Sequence, residues 1–91
     1  MPKILLNESF LSKAKKLLKK YPDKKTKIDK TIKQLTKDPF YPSLQTKKYD
    51  SQRNIWQSYV EQNTPSAWRI WWTWSTTEED TIIIDSFGPH P

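Results

Sequence analysis

The chain has 91 residues and no cysteine, which fits a single domain spanning residues 1–91 and excludes disulfides, a thiol nucleophile and a cysteine-based metal site. The formal net charge is +6, which favours polyanionic partners, and no apolar run approaches the roughly 20 residues of a membrane-spanning helix. We therefore expect a cytoplasmic protein without a membrane partner. Its small core should rest largely on aromatic side chains, since there are five Trp, four Tyr and three Phe.

The first part of the chain predicts a strand followed by two helices. Residues 3–6 form a short apolar run that suits a strand. Residues 10–21 carry apolar side chains at helical spacing, with Asn7 or Ser9 as a cap. A second helical pattern occupies residues 23–38. Because only a short turn separates the two helices, they should form an antiparallel hairpin.

The second part predicts strands. Residues 55–60 are rich in β-formers, residues 68–74 alternate with a period of two, and residues 81–87 include an Ile-Ile-Ile run. The polar segments 61–66 and 75–80 read as hairpin loops. The predicted order is β-α-α-β-β-β. This is an α+β fold with the helical hairpin packed on one side of an antiparallel sheet.

Charge is divided unequally along the chain. Residues 1–38 hold twelve lysines and four acidic residues, whereas residues 39–91 hold four basic and six acidic residues. One interpretation of the lysine-rich helices is a solvated surface that keeps the protein soluble. The other is a surface that contacts phosphates, whose binding would weaken steeply with salt.

Six segments resemble, in order and spacing, those of one protein family. They are residues 9–17, 32–40, 42–49, 55–58, 68–70 and 83–90. The aromatic-Arg-aliphatic triplet Trp68-Arg69-Ile70 and the Gly88-Pro89-His90 tail are typical of it. On these residues the chain resembles the RelE/ParE toxin superfamily of type II toxin–antitoxin systems, over nearly its whole length.

The resemblance implies a toxin that a cognate antitoxin holds silent in a hetero-oligomer. RNA-cleaving members are ribosome-dependent endoribonucleases that cut messenger RNA and inhibit translation. ParE-like members instead inhibit DNA gyrase. A third possibility is a catalytically degenerate member that binds only its antitoxin or nucleic acid.

Metal-independent RNA cleavage uses the 2′-hydroxyl of the substrate as nucleophile, so it requires neither a metal nor another cofactor. The protein must remove that proton, neutralise the phosphorane and protonate the leaving oxygen. Arg69 suits the phosphate because its guanidinium is a planar fork. His90 is the only histidine and hence the only imidazole acid or base. Lys47 stands where many relatives carry a histidine. We expect it to contribute electrostatic contact rather than proton abstraction.

Four further residues are candidates for RNA binding, with core packing as the alternative for the aromatic ones. They are Lys48, Tyr49, Tyr59 and Trp71. Trp56 is expected beside Trp71 on the outward side of the sheet, and Glu61 is a candidate base if it faces the same groove. Trp68, Trp72 and Trp74 are expected in the core.

One departure from the family bears on activity. RNA-cleaving relatives often carry additional Lys or His on the strand where this chain has Gln57 and Ser58. The enzymatic interpretation requires that the Arg69 guanidinium and the His90 imidazole meet in a cationic hollow beside Lys47 and Lys48.

Overall fold

A computed structural model describes residues 2–62 and 66–89. Within these ranges the chain forms helices, a 3-10 turn and strands. They are β1 (Lys3–Leu6), α1 (Glu8–Lys20), α2 (Lys24–Lys37), the 3-10 turn (Pro42–Leu44), β2 (Lys47–Asp50), β3 (Ile55–Tyr59), β4 (Trp68–Trp74) and β5 (Thr81–Pro89). The predicted α+β class and the helical hairpin are confirmed.

The strands form one sheet in the order β1-β5-β4-β3-β2. The sheet differs from the expected one in two details. β1 pairs with β5 in parallel, so the sheet is mixed rather than antiparallel throughout. β2 is an additional edge strand that the predicted order lacked. Its sequence, Lys-Lys-Tyr-Asp, is mostly exposed and shows no apolar alternation, because only one edge of it is paired.

Helix α1 begins where the side chain of Asn7 accepts a hydrogen bond from the backbone N–H of Ser9 at 2.8 Å. It ends at Tyr21, directly before Pro22, whose ring would clash with a continuing helix. None of the helices in residues 2–62 and 66–89 is long and apolar enough to cross a membrane.

The core lies between the two helices and one face of the sheet. Buried apolar side chains from both layers make it up: Phe10, Ala14, Ile28, Leu35, Leu44, Trp68, Ile70, Trp72, Ile82, Ile84 and Phe87. Trp74 packs partly buried against this cluster. The placement of Trp68, Trp72 and Trp74 in or against the core is as predicted. Trp56 differs from the prediction, because it lies on the core side and stacks on Trp72 with ring centroids 5.9 Å apart.

A chain of hydrogen bonds, buried at Trp72 and partly buried at Thr46, runs through this core. The indole Nε1 of Trp72 donates to the Ser58 hydroxyl at 2.9 Å, and the Ser58 and Thr46 hydroxyls lie 2.7 Å apart. Thr46 in turn donates to the carbonyl of Pro39 at 2.6 Å. Ser58 therefore serves the core. An uncharged side chain is needed at this position, because a lysine would bury an ammonium group among aromatic rings.

Candidate functional site

The sheet face opposite the helices carries most of the predicted site residues. Side chains that alternate with core residues point to it, and we call it the outer face. Arg69 lies directly opposite Tyr59, while Trp71 lies opposite Gln57, which in turn lies opposite Lys47 on the edge strand. Because directly opposite residues share a face, the register brings these side chains together.

An aromatic ring holds the Arg69 side chain in place, and no acidic side chain within residues 2–62 and 66–89 forms an ion pair with it. Its guanidinium carbon lies 4.5 Å from the centroid of the Tyr59 ring, a cation–π contact. Its Nε is buried, and no atom of residues 2–62 or 66–89 accepts a hydrogen bond from it. A guanidinium in this condition favours an anionic ligand, because unpaired buried donors are rare in folded proteins.

Lys47, Tyr49 and Trp71 extend the outer face towards the β2 edge. Tyr49 is 52% exposed, and its ring meets the Trp71 ring at a centroid distance of 5.8 Å. Lys47 is exposed and therefore free to contact a phosphate. The outer face thus combines two cations with three aromatic rings. Such a surface can bind a phosphate backbone and stack bases.

Lys48 is separated from this group. It lies opposite Trp56, and its Nζ is 4.3 Å from the centroid of the Trp56 ring on the helix side. Consecutive residues of a strand point to opposite faces, so Lys47 and Lys48 cannot both line one hollow. The expected lysine pair is thus corrected to a single lysine, Lys47.

His90 lies outside the described residues. The described part of β5 runs to Pro89, and Gly88 lies opposite Arg69 in the register. The convergence of His90 with Arg69 stays a prediction.

Glu61 does not provide the candidate base. Its Oε2 accepts hydrogen bonds from Lys24 and Lys27, each at 2.8 Å, and its Oε1 accepts one from the backbone N–H of Trp68. Burial raises the pKa of this carboxyl, but those bonds outweigh it and lower the pKa to about 2. A carboxylate so acidic is a poor proton acceptor at neutral pH, so Glu61 acts as an ion-pair partner.

Two residues of the outer face were not predicted. Gln57 is buried between Lys47 and Trp71. Asp85 lies where the pairing of β4 and β5 shifts register, and its carboxylate accepts a hydrogen bond from the outward-facing Thr73. Burial raises the pKa of Asp85, which the Thr73 bond partly opposes. The sequence signal was an acidic residue directly after the apolar Ile82–Ile84 run.

Tyr59 also lines a groove beside the outer face. The groove has a volume of about 440 Å³ and lies between α2 and the end of β3. Lys27 and Lys30 border it on the helix, and Val60 and Gln62 on the strand side. Within the described ranges, no group of three or more His, Asp or Glu side chains is placed to hold a metal ion.

No protein-family model and no curated protein sequence matches the chain. Solved structures are similar to it along almost the full length of both chains. A YoeB/ParE toxin from Agrobacterium tumefaciens has a TM-score of 0.72 at 13% identity, covering 98% of this chain and 99% of that one. The heterotetrameric YoeB-YefM toxin-antitoxin complex from Staphylococcus aureus has a TM-score of 0.70 at 15% identity, with 100% and 99% covered. A copper-bound L66S mutant toxin from Helicobacter pylori has a TM-score of 0.69 at 21% identity, with 99% and 96% covered.

Proposed function

Because the chain has the fold of YoeB/ParE-type toxins, we propose that it is the toxin of a type II toxin–antitoxin pair. Its proposed activity is ribosome-dependent, metal-independent cleavage of messenger RNA, which inhibits translation in the cytoplasm. The observation that carries the proposal is the Arg69 guanidinium, whose buried Nε has no acceptor within residues 2–62 and 66–89, on the outer face beside Tyr59 and on the same side as Lys47.

In this proposal Arg69 stabilises the charge that develops on the phosphorane when the 2′-hydroxyl attacks. The Tyr59 ring fixes the guanidinium beforehand, so little reorganisation accompanies the reaction. Lys47 adds positive charge to the substrate path, and Tyr49 and Trp71 stack on bases. His90 is the proposed proton donor to the leaving 5′-oxygen, and the proton of the attacking 2′-hydroxyl passes to solvent water.

The proposed partner in the resting state is an acidic antitoxin segment that folds on the toxin. The lysine-bordered groove between α2 and β3 suits such a segment, because it offers both cations and an apolar strip beside Tyr59. Co-expression from the native operon should yield a stable 1:1 or 2:2 complex. Recovery of the toxin alone under these conditions would contradict the antitoxin proposal.

The enzymatic proposal is tested by inducible expression with messenger RNA levels and growth as readouts. Arg69→Ala should slow messenger RNA loss about 10²–10³-fold, the cost of removing one transition-state donor. His90→Ala should also relieve growth arrest. Arg53→Ala is the matched control, because Arg53 is an exposed arginine in the turn between β2 and β3.

The second candidate is inhibition of DNA gyrase, in the manner of ParE-like toxins. The observation in its favour is that Glu61 is fully engaged by Lys24 and Lys27 and so is lost as a catalytic base. Growth arrest with DNA-damage signalling, indifferent to Arg69→Ala and His90→Ala, would favour gyrase. Absence of arrest, with antitoxin binding retained, would favour the degenerate alternative.

A further inference from the structure

Gln57 occupies the middle of the outer face and is only 1% exposed. It lies opposite Lys47 on β2 and opposite Trp71 on β4. Its Oε1 accepts a hydrogen bond from the indole Nε1 of Trp71 at 3.2 Å. Its Nε2 is buried and donates to no atom of residues 2–62 or 66–89.

The orientation of this amide is fixed by Trp71. The indole nitrogen is a donor only, so a flipped amide would place Nε2 against a second donor. The unused Nε2 must therefore point away from Trp71. An unsatisfied buried donor is unfavourable, and because no acceptor lies within the two described ranges, this donor on a candidate binding face suits an acceptor supplied by a ligand.

Gln57 and Arg69, whose buried donors lack an acceptor in the described part of the chain, are diagonal neighbours in the sheet. Gln57 is opposite Trp71, and Arg69 is opposite Tyr59, two residues further along each strand. Such diagonal neighbours lie roughly 7–8 Å apart. That separation matches the reach of a single nucleotide from its phosphate to the edge of its base. Trp71 lies on the same face, opposite Gln57 and two residues from Arg69 along β4.

We propose that Gln57 is a specificity-determining residue that reads one base of the RNA substrate. While Arg69 holds the phosphate, the base stacks on Trp71 and its carbonyl oxygen accepts a hydrogen bond from Gln57 Nε2. Guanine, uracil and cytosine carry such an oxygen and adenine does not, so adenine is disfavoured at this position. The exposed Lys47 side chain swings aside to admit the base. The inference rests on the proposed RNA-directed function and adds to it a preference for bases that carry a carbonyl oxygen.

The test uses the whole protein and RNA that cannot be cleaved. Two 2′-fluoro oligoadenosines differ at one central base, which is hypoxanthine in one and unsubstituted purine, lacking the 6-oxygen, in the other. Fluorescence anisotropy gives the two dissociation constants. The hypoxanthine oligonucleotide should bind about three- to tenfold more tightly, the range expected for one neutral hydrogen bond. A ratio of one in the wild type overturns the assignment of Gln57.

Gln57→Glu isolates the donor, because it keeps an oxygen for Trp71 Nε1 and replaces Nε2 by an acceptor. The preference should fall to one or invert. Gln52→Glu adds the same charge at an exposed turn position and should keep the wild-type ratio, so general repulsion of RNA is separated from loss of the donor. A preference that survives Gln57→Glu overturns the proposal.

The same measurements distinguish the two levels of the proposal. Binding without base preference, together with Arg69-dependent messenger RNA loss in cells, overturns only the role of Gln57. Failure of the wild type to bind either oligonucleotide overturns the role of Gln57 as a base-contacting residue, whereas the RNA-directed function is overturned by messenger RNA levels in cells that do not depend on Arg69.

Discussion

The carboxylate of Glu61 ties the end of β3 to helix α2. One oxygen accepts from both Lys24 and Lys27, and the side chains of Glu61 and Lys24 are 14% and 19% exposed. Shielding from water makes such a pair stronger than one on an open surface. It also makes the pair sensitive to the protonation of Glu61.

Acid should therefore destabilise the fold through Glu61. The folded pKa of about 2 lies below the ordinary 4.5, so the stabilisation is complete above pH 4.5 and is lost as the pH falls towards 2. The loss should amount to about 2–3 kcal/mol and be visible in urea unfolding between pH 6 and pH 2.5. Glu61→Gln should be less stable at pH 6 and show a flatter acid limb. An unchanged acid limb would contradict the role of this ion pair.

Asp85 has the opposite pH dependence. Burial raises its pKa, so its ionised form is disfavoured in the folded state, and its contribution to stability falls as the pH rises from 3.8 through the folded pKa. Asp85→Asn should raise the melting temperature at pH 7, since an amide oxygen still accepts from Thr73. Glu78→Gln, at an exposed position of the β4–β5 turn, serves as the control and should leave the melting temperature unchanged. A lower melting temperature for Asp85→Asn would contradict this account.

Strands β3 and β4 are joined on the core side by the hydrogen bond from Trp72 to Ser58, both of which are fully buried. Ser58→Ala leaves the indole donor without this acceptor in a dry core. It should reduce the free energy of unfolding by about 1–3 kcal/mol. Denaturant titration of Ser58→Ala, Trp72→Phe and the double variant measures the coupling. If the two losses simply add, the bond contributes nothing of its own.

The elements that the sequence predicted correctly are those with a repeating apolar pattern or with a run of apolar or β-forming residues. α1 and α2 follow from apolar residues at helical spacing, and β4 follows from its strict alternation. β2 could not be predicted, because a short polar edge strand has no alternation of apolar and polar residues. The parallel pairing of β1 was equally hidden, since its partner β5 lies at the far end of the sequence.

The same limit applies to the candidate site. Tyr59, Arg69 and Trp71 could be placed on one face, because odd positions along β4 and their partners on β3 alternate with core residues. The separation of Lys47 from Lys48 required knowing that β2 exists. The burial of Gln57 depends on neighbours from three strands, and no local pattern encodes it.

Over the whole molecule, most of the positive charge lies away from the outer face. The helices carry most of the lysines and pack on the core side, whereas the outer face has Arg69 and Lys47. RNA held on the outer face should therefore sense Lys47 far more than a helix lysine. The lysine-rich helices then act chiefly as a solvated surface.

Salt dependence of RNA binding tests this arrangement. Lys47→Gln should reduce the slope of log K against log salt by about 0.7, the value for one phosphate contact with a single strand. Lys15→Gln, on the exposed side of α1, removes the same charge and should leave the slope unchanged. Equal slopes for the two variants would instead favour the helices as a phosphate-contacting surface.

The parallel pairing of β1 with β5 has a consequence for biosynthesis. β5 lies between β1 and β4 in the sheet, and α1 packs against it. A nascent chain that has been translated only to the end of β4 lacks β5, so β1 has no strand to pair with at that stage. Folding is then completed only after β5 is made, through contacts between distant parts of the sequence, which are slow to form. The growing polypeptide thus cannot assemble this sheet, or any activity that depends on it, until β5 has been translated.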